Sequence, residues 1–528
     1  MRMTNKIMQN NSLYNINNNK ILQDKLSTQM STQKKITRPS DDPVIAIRAL
    51  RLRTNVSELK QFYEKNAPDA ESWLEVTEKA LGTVTTVLTD MSKQANKGAN
   101  KDLAVEDLAI IVEQMKSLRD EFYSTGNMDY AGRYVFTGYR TDTTMSFTEE
   151  VEEMGEGYPS YDITEQVTID AFDTLNYTNI GKLDGLNKNN YTDTKFDDTK
   201  EQEVSNGDIH RMRLAYDKLY DDPTETVDLT ISIMNKDKSA VSTTLSPVTA
   251  STSANPDPYQ LALANPDKIY FVPETGEVLF GEKAYSDLEA TIKGISGTDT
   301  ELRFTYTKNE WKDGDLRPEH YFACEGTTKD KDGNTTTIKY NQEYLKGAKE
   351  KQVIEYDVGY NQKIQVNTTA DEVFTHNLDR DIDDLESALE ELQDIDAVRK
   401  DMETVLKGLE EGTAEYNDVK AKYDAADKAY SYIRENIHNI FEKTITRTQG
   451  YLDETNIAVT DNGTRSQRLS LISNRLMDQK TTFQTLQSDN EDADIAEVAV
   501  QLTSTELTYE AALMATGKIM QTSLMNYI

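Results

Sequence analysis

The side chains that most often perform catalysis or bind metals are few in this sequence and lie far apart. Its four histidines are His210, His320, His376 and His438, and no two of them have the spacing of zinc ligands. The single cysteine, Cys324, excludes an intrachain disulfide and a thiolate cluster. The 528 residues contain neither a phosphate-binding glycine-rich loop nor a nucleophile elbow. The sequence therefore predicts no catalytic residues, no metal and no cofactor, and so a protein that is not an enzyme.

Carboxylates are abundant, and two of them are enough for one kind of catalysis. A glycosidase needs a carboxyl pair about 5 to 9.5 Å apart, and a sequence does not show that distance. A surface enzyme that acts on polysaccharides, with its active site in the middle of the chain, therefore stays a remote alternative. Residues 330–334 have the acidic character of a calcium loop, but their glycine stands at the fourth position instead of the sixth. We expect a β-turn there.

The formal net charge of −34 is unevenly distributed along the chain. Residues 1–65 contain 12 Lys and Arg against 5 Asp and Glu, whereas residues 371–428 contain 19 acidic against 7 basic side chains. The overall acidity argues against nucleic acid as a partner, because that binding requires a dense Lys and Arg surface. The opposite charges of the two regions instead favour packing of one end of the chain against the other.

Apolar residues at heptad spacing predict long helices towards both ends. Two seams run at seven-residue intervals from Ile45 to Val87 and from Ala49 to Met91, which is typical of a coiled coil. Pro68 lies inside this run and predicts a break or kink, because proline has no backbone N–H to donate. Similar seams occupy residues 378–392, 416–440 and 469–486, and the polar residues 461–463 predict a break between the last two.

The middle of the chain has a different pattern. Residues 227–233, 269–272, 302–307 and 353–358 alternate β-branched or aromatic residues with polar ones, which predicts strands. The sequence therefore predicts an α+β fold, in which N- and C-terminal helices pair in an elongated coiled-coil body around a β-rich insert. The expected domains are terminal helices from 1–40 with 490–528, a helical body from 41–145 with 370–489, and one or two β-rich outer domains from 146–369.

The outermost segments carry apolar stripes that need a partner. Asn fills many positions of residues 5–30, and it costs about 0.5 kcal/mol relative to Ala inside a helix, so this helix should be marginal alone. We expect these stripes to become ordered on assembly, through Ile7, Tyr14, Ile21, Leu502, Tyr509, Leu513, Met520 and Leu524. We also expect no cleaved signal peptide and no membrane-spanning segment, since neither pattern occurs.

Two short motifs are more specific than any periodicity. The first consists of Arg38, Pro39, Ser40, Asp41, Asp42 and Pro43, in which Ser40 or Asp41 is expected to cap the following helix. The second consists of Asp492, Ala493, Asp494, Ile495, Ala496 and Glu497, where acidic residues open another helix. In this order and at these ends, both motifs resemble the flagellin superfamily, and the first is similar to its hook-filament junction proteins.

That resemblance implies a structural subunit of the bacterial flagellum, extracellular and exported through the flagellar type III apparatus. The partners it implies are other copies of the chain in a ring, the first hook-filament junction protein, flagellin and a flagellar export chaperone, with neither nucleic acid nor membrane among them. A flagellin filament subunit, which shares the terminal architecture, is the nearest alternative. A coiled-coil adaptor is another, and it would form stable oligomers from residues 45–91 alone.

Overall fold

The computed structural model describes residues 5–148, 160–219, 228–238, 240–254, 256–295, 300–329, 334–346 and 352–521. The chain divides into two compact units. The first unit contains Met1–Glu71, Tyr356–Ile364 and Gln467–Ile528, and the second contains Ser72–Glu355 and Gln365–Ser466. The domain bounds expected from the sequence differ from these units and stay a prediction.

Long helices occupy the two terminal regions of the described chain. They are α1 (Asn5–Thr32), α2 (Pro43–Gln61), α3 (Ala67–Gly98), α4 (Val105–Thr125), α7 (Asn377–Gly408), α8 (Ala414–Glu491) and α9 (Ile495–Gln521), with the shorter α5 (Pro258–Ala264) and α6 (Glu282–Ile295) between them. No helix of these described ranges is long and apolar enough to cross a membrane.

Strands fill the middle of the chain. They are β1 (Asp129–Tyr130), β2 (Arg133–Tyr134), β3 (Ser160–Val167), β4 (Asp173–Asn179), β5 (Ser205–Arg213), β6 (Thr230–Met234), β7 (Val241–Leu245), β8 (Val248–Thr249), β9 (Ile269–Val272), β10 (Glu277–Phe280), β11 (Leu302–Lys308), β12 (Ala323–Lys329), β13 (Thr335–Tyr340), β14 (Glu355–Gly359) and β15 (Gln362–Gln365). One sheet has the order β4-β5-β10-β9-β8 and another the order β13-β12-β3-β11-β6-β7. Long terminal helices and a β-rich centre confirm the α+β prediction.

The helix around Pro68 changes its pitch instead of ending. A π-helical turn, Phe62–Asn66, joins α2 to α3, and in it the backbone N–H of Ala67 donates to Phe62 O. This turn shifts the hydrogen-bond register beside a proline that cannot donate. The predicted irregularity is therefore present, and the helical path continues through it.

The break predicted at residues 461–463 is wrong, because α8 runs without interruption from Ala414 to Glu491. Asn462 is fully buried in the second unit, and its Nδ2 donates to the backbone oxygen of Leu74 at 3.1 Å. A tertiary contact thus outweighs the weak helix propensity of Asn and Gly, which is about 0.5 to 1 kcal/mol per residue.

A buried charge network holds the five-stranded sheet of the second unit against its helices. Arg211 of β5 is almost fully buried and bonds Asp173 at 2.9 Å, Glu277 at 2.6 Å and Asp384 of α7 at 2.7 Å. Arg447 of α8 also reaches Asp173 at 2.9 Å. These charges are mutually paired, as buried charges must be, and they act as structural links.

Candidate functional site

The chain just before the first motif meets the start of the second motif in the first unit, although these residues are far apart in the sequence. Lys34 and Asp492 form an antiparallel β-bridge. Next to it, the backbone N–H of Lys35 donates to Glu491 O at 2.7 Å, and that of Ala493 donates to Gln33 O at 2.9 Å. We call residues 33–42 together with residues 488–494 the clasp. It joins the end of α1 to the start of α9.

The first motif shapes one side of the clasp. The Asp41 carboxylate accepts hydrogen bonds from the backbone N–H groups of Arg38 at 2.9 Å and Thr37 at 3.2 Å, and these bonds lower its pKa. Asp42, not the expected Ser40 or Asp41, caps α2, because its side chain accepts from the first turn of that helix. Pro43 occupies the first helical turn, as the sequence predicts.

The remaining residues of the first motif are exposed, namely Arg38, Pro39 and Ser40. They make the turn in which the N–H of Asp41 donates to Arg38 O at 3.0 Å.

The second motif shapes the opposite side. Asp494 caps α9, since its Oδ1 accepts from the backbone N–H of Ala496 at 2.9 Å and of Glu497 at 3.2 Å. Ile495 begins the helix and remains exposed. Asp492 accepts from Lys34 Nζ at 2.5 Å and from Ser488 Oγ at 2.6 Å, and the bond from Lys34 lowers its pKa.

An ion pair that the sequence analysis did not identify lies beneath the clasp. Arg53 Nε donates to Glu491 Oε1 at 2.8 Å, and its Nη2 donates to Oε2 at 2.6 Å. The Glu491 side chain is only 3% exposed, while that of Arg53 is 57% exposed. The bond from Arg53 lowers the pKa of Glu491. Neither residue lies in the two motifs, and no sequence signal joins them.

Beyond the clasp, α1 and α9 pack along each other through narrow inner seams. In α1, Ile16 and Leu26 are buried. In α9, Val498 and Thr505 are buried, and two predicted assembly residues on the same face, Leu502 and Tyr509, are half-buried. Much of the apolar surface of both helices is left outside this pair.

The uncovered apolar residues of each helix include three at seven-residue spacing. On α1 they include the predicted Ile7, Tyr14 and Ile21, which are 49%, 66% and 68% exposed. We call these three residues the α1 stripe. Of the other predicted assembly residues, Leu513 is exposed, Met520 lies in α9 with a side chain outside the described part, and Leu524 lies outside the described residues.

Three other apolar residues of α9 are exposed, and the predicted assembly residues stay a prediction. Val500, Leu507 and Met514 stand seven residues apart and are 71%, 63% and 66% exposed. We call these three residues the α9 stripe. Their heptad spacing is visible in the sequence, but so is that of the inner seam, and only the packing against α1 distinguishes them.

The four histidines, which are the side chains best suited to catalysis or metal binding, belong to the second unit, whereas the clasp belongs to the first. His210 stacks on Tyr285, His320 contacts Thr144 O at 3.1 Å, His376 contacts Tyr216 Oη at 3.0 Å, and burial lowers the pKa of His438. Within the described residues, no group of three His, Cys, Asp or Glu side chains is placed to hold a metal ion.

Comparison with known proteins identifies relatives of this chain. Residues 3–141 match the family described as the bacterial flagellin N-terminal helical region. Flagellar hook-associated protein 3 of Escherichia coli is 29% identical over 190 residues, which cover 36% of this chain and 59% of that protein. Flagellar hook-associated protein 3 of Salmonella typhimurium is 31% identical over 143 residues, which cover 27% of this chain and 45% of that protein.

This chain therefore spans about half the length of the curated relatives it matches. Among solved structures, FlgL of Xanthomonas campestris aligns over 83% of this chain and 99% of its own, at 11% identity and a TM-score of 0.30. The sequence matches confirm the resemblance that the two motifs indicate: residues 3–141 are similar to the N-terminal helical region of bacterial flagellins, and the chain is similar to flagellar hook-associated protein 3.

Proposed function

We propose that this chain is a structural, non-enzymatic subunit of the bacterial flagellum that joins the hook to the filament. One observation carries the proposal: the two family motifs close a clasp from which α1 and α9 extend with uncovered apolar stripes. The similarity to hook-associated protein 3 favours a junction subunit over the alternative of a flagellin filament subunit.

The low stability expected for the isolated pair of helices α1 and α9 supports a role in assembly. Helix α1 contains seven asparagines, which together cost about 3 to 4 kcal/mol relative to alanine. Few apolar side chains are buried between α1 and α9 to offset that cost. Covering one Ile or Leu contributes roughly 1.5 to 3 kcal/mol. Neighbouring subunits that cover the stripes would therefore supply the stability that the isolated pair lacks.

The partners follow from the same role. We propose that copies of the chain form a ring between the first hook-filament junction protein and flagellin. Before that, the chain is held by an export chaperone and leaves the cell unfolded. In this arrangement residues 1–40 and 490–528 are the axial helices, residues 41–145 and 370–489 the body, and residues 146–369 the outer insert. The two motifs form the joint between the axial helices and the body.

A gene deletion with complementation tests the role. Electron microscopy of the deletion strain should show hooks without filaments, with flagellin released to the medium. The full-length gene should restore filaments, and a version lacking residues 1–30 should be exported but not incorporated. Filaments of normal length in the deletion strain would contradict the junction role. A label on the chain found along the whole filament, instead of at one band beside the hook, would favour the flagellin alternative.

A paired substitution makes the test specific to the stripe. Tyr14→Asp places a charge in the α1 stripe, whereas Asn15→Asp places the same charge at an exposed position one residue away. We expect filament loss with the first variant and normal filaments with the second. Equal behaviour of the two variants would show that the stripe is not an assembly surface.

A further inference from the structure

A cavity of about 320 Å³ lies within the second unit, between the five-stranded sheet and the helices α7 and α8. Residues of β4, β5 and β10 form one wall, residues 380–391 of α7 form another, and α8 contributes Asn436. The cavity continues into an outer groove of about 1140 Å³ along α7, because Tyr177, Tyr259 and Glu391 line both. Sites for small molecules typically have volumes of about 300 Å³ or more, so this space suits such a ligand.

The wall of the cavity carries an excess of negative charge. Eight carboxyl side chains and three basic ones line it. The three basic side chains, Arg211, Lys312 and Arg380, each form an ion pair with an acidic one. Glu390 and Glu391 form no ion pair and no side-chain hydrogen bond with the residues that the structure describes. Their uncompensated charge favours a cationic ligand.

The surroundings of Glu391 show the same excess of negative charge. Its side chain is exposed where the cavity opens into the groove. The protein around it, and then the carboxylates of Asp257 and Asp394, raise its pKa to about 7. A cation bound between these carboxylates would relieve their mutual repulsion.

A buried amide without a partner is the second feature that points to a ligand. Asn436 of α8 is only 7% exposed and lines the cavity. Its side-chain amide forms no hydrogen bond within the described part of the chain. Buried amides are normally hydrogen-bonded, because leaving them unpaired is unfavourable. The amide oxygen of Asn436 can accept a hydrogen bond from an N–H group of a ligand.

Aromatic rings lie where the cavity meets the groove. Tyr177 and Tyr259 stack with their ring centroids 5.4 Å apart and 12° between the ring planes. Their hydroxyls donate to Asp257 at 2.5 Å and to Glu277 at 2.7 Å. Tyrosine rings attract organic cations, whereas a metal ion requires a cluster of ligands. No such cluster of His, Cys, Asp or Glu occurs in the described ranges, so the site favours an organic cation.

We propose that this cavity and groove bind an organic polyamine, whose ammonium groups contact Glu391, Asn436 and the two tyrosines. An ammonium group offers only hydrogen-bond donors, which matches a wall of carboxylate and amide acceptors. The outer groove also contains Asp394 and Asp401, so it accommodates the remaining length and charge of an elongated cation. The bound ligand contacts α7, α8 and the sheet together and therefore stabilises the second unit. The site goes beyond the junction role and does not depend on it.

Isothermal titration calorimetry of the purified full-length chain with spermidine tests this site. We expect saturable binding of one ligand per chain, and binding weakened about tenfold or more by Asn436→Leu and by Glu391→Gln. The matched controls, Asn439→Leu and Glu442→Gln, make the same changes at exposed positions of α8 that do not line the cavity. They should weaken binding less than about twofold. Glu391 is exposed, so its variant decides the matter if Asn436→Leu fails to fold.

Three further ligands separate a polyamine site from simple charge attraction. Magnesium chloride should bind more weakly than spermidine, and neutral butanediol should not bind. Lysine amide acetylated at its α-amino group carries the ammonium of a lysine side chain, and it should bind more weakly than spermidine. Absence of saturable spermidine binding would overturn the proposal, and so would equal losses in the variants and their controls. Tighter binding of magnesium or of the lysine compound would overturn it in favour of a metal ion or of a lysine from a protein partner.

Discussion

The Arg53–Glu491 pair gives the sharpest test of how the clasp holds the terminal helices. Arg53→Ala removes both donors from a carboxylate that is only 3% exposed. Lys34 Nζ, at 3.8 Å, is then the nearest remaining cation described for it. Removing one partner of a buried pair costs about 3 to 5 kcal/mol, whereas exposed pairs contribute about 0 to 1 kcal/mol. Because the Arg53 side chain is 57% exposed, we expect an intermediate loss of about 2 kcal/mol.

Hydrogen exchange measured by mass spectrometry can read this loss locally. A loss of about 2 kcal/mol corresponds to roughly 30-fold faster exchange in peptides from α1 and α9, if they open together with the clasp. The matched control is Arg51→Ala on the same helix, an exposed residue for which no ion pair is described. We expect it to change exchange less than about twofold, as surface substitutions usually do. Equal exchange in the two variants would refute the view that this pair stabilises the clasp.

The pH dependence of the same variant provides a second check. Arg53 lowers the folded-state pKa of Glu491, so the stability from this carboxylate is present above its unfolded pKa of about 4.3. That stability is lost as the pH falls through the lower folded-state value. The difference between parent and Arg53→Ala should therefore be constant near neutral pH and shrink below about pH 4. A difference that grows on acidification would contradict this reasoning.

Three further predictions concern other contacts. Asp42→Ala should destabilise the start of α2 by about 1 kcal/mol, measured by local hydrogen exchange, because Asp42 is the cap. Ser40→Ala should have little effect. The opposite ranking of the two variants would contradict this assignment. Arg211→Ala should destabilise the second unit by about 3 to 5 kcal/mol in urea unfolding, because buried Glu277 loses its one described ion-pair partner and Asp173 and Asp384 each lose one of two; a loss below about 1 kcal/mol would show that the network contributes little. Burial raises the pKa of Glu165 to about 7, so this side chain should contribute a loss of roughly 3 kcal/mol between pH 4.5 and 7, as the unfolded chain ionises first. Glu165→Gln should reduce the slope of the second unit by that amount, and an unchanged slope would exclude Glu165 as a contributor.

Local patterns in the sequence determined the kinds of elements that form. Heptad spacing predicts the long helices, and alternation predicts strands near the observed β6, β9, β11 and β14. These predictions succeed because helix and strand expose their residues with different periods, so the buried positions are visible in the order of residues. The irregularity beside Pro68 was predictable for a similar reason, since the missing backbone donor is a property of that one residue.

Contacts between distant parts of the chain decided the rest. Asn462 remains helical because Leu74 accepts its hydrogen bond, and the Arg53–Glu491 pair exists because the clasp brings α2 to the end of α8. The exposure of Val500, Leu507 and Met514 was not predicted, because α9 has apolar residues at heptad spacing on two faces. Periodicity shows that a face is apolar, but only the position of α1 decides which face is covered and which remains available to a neighbour.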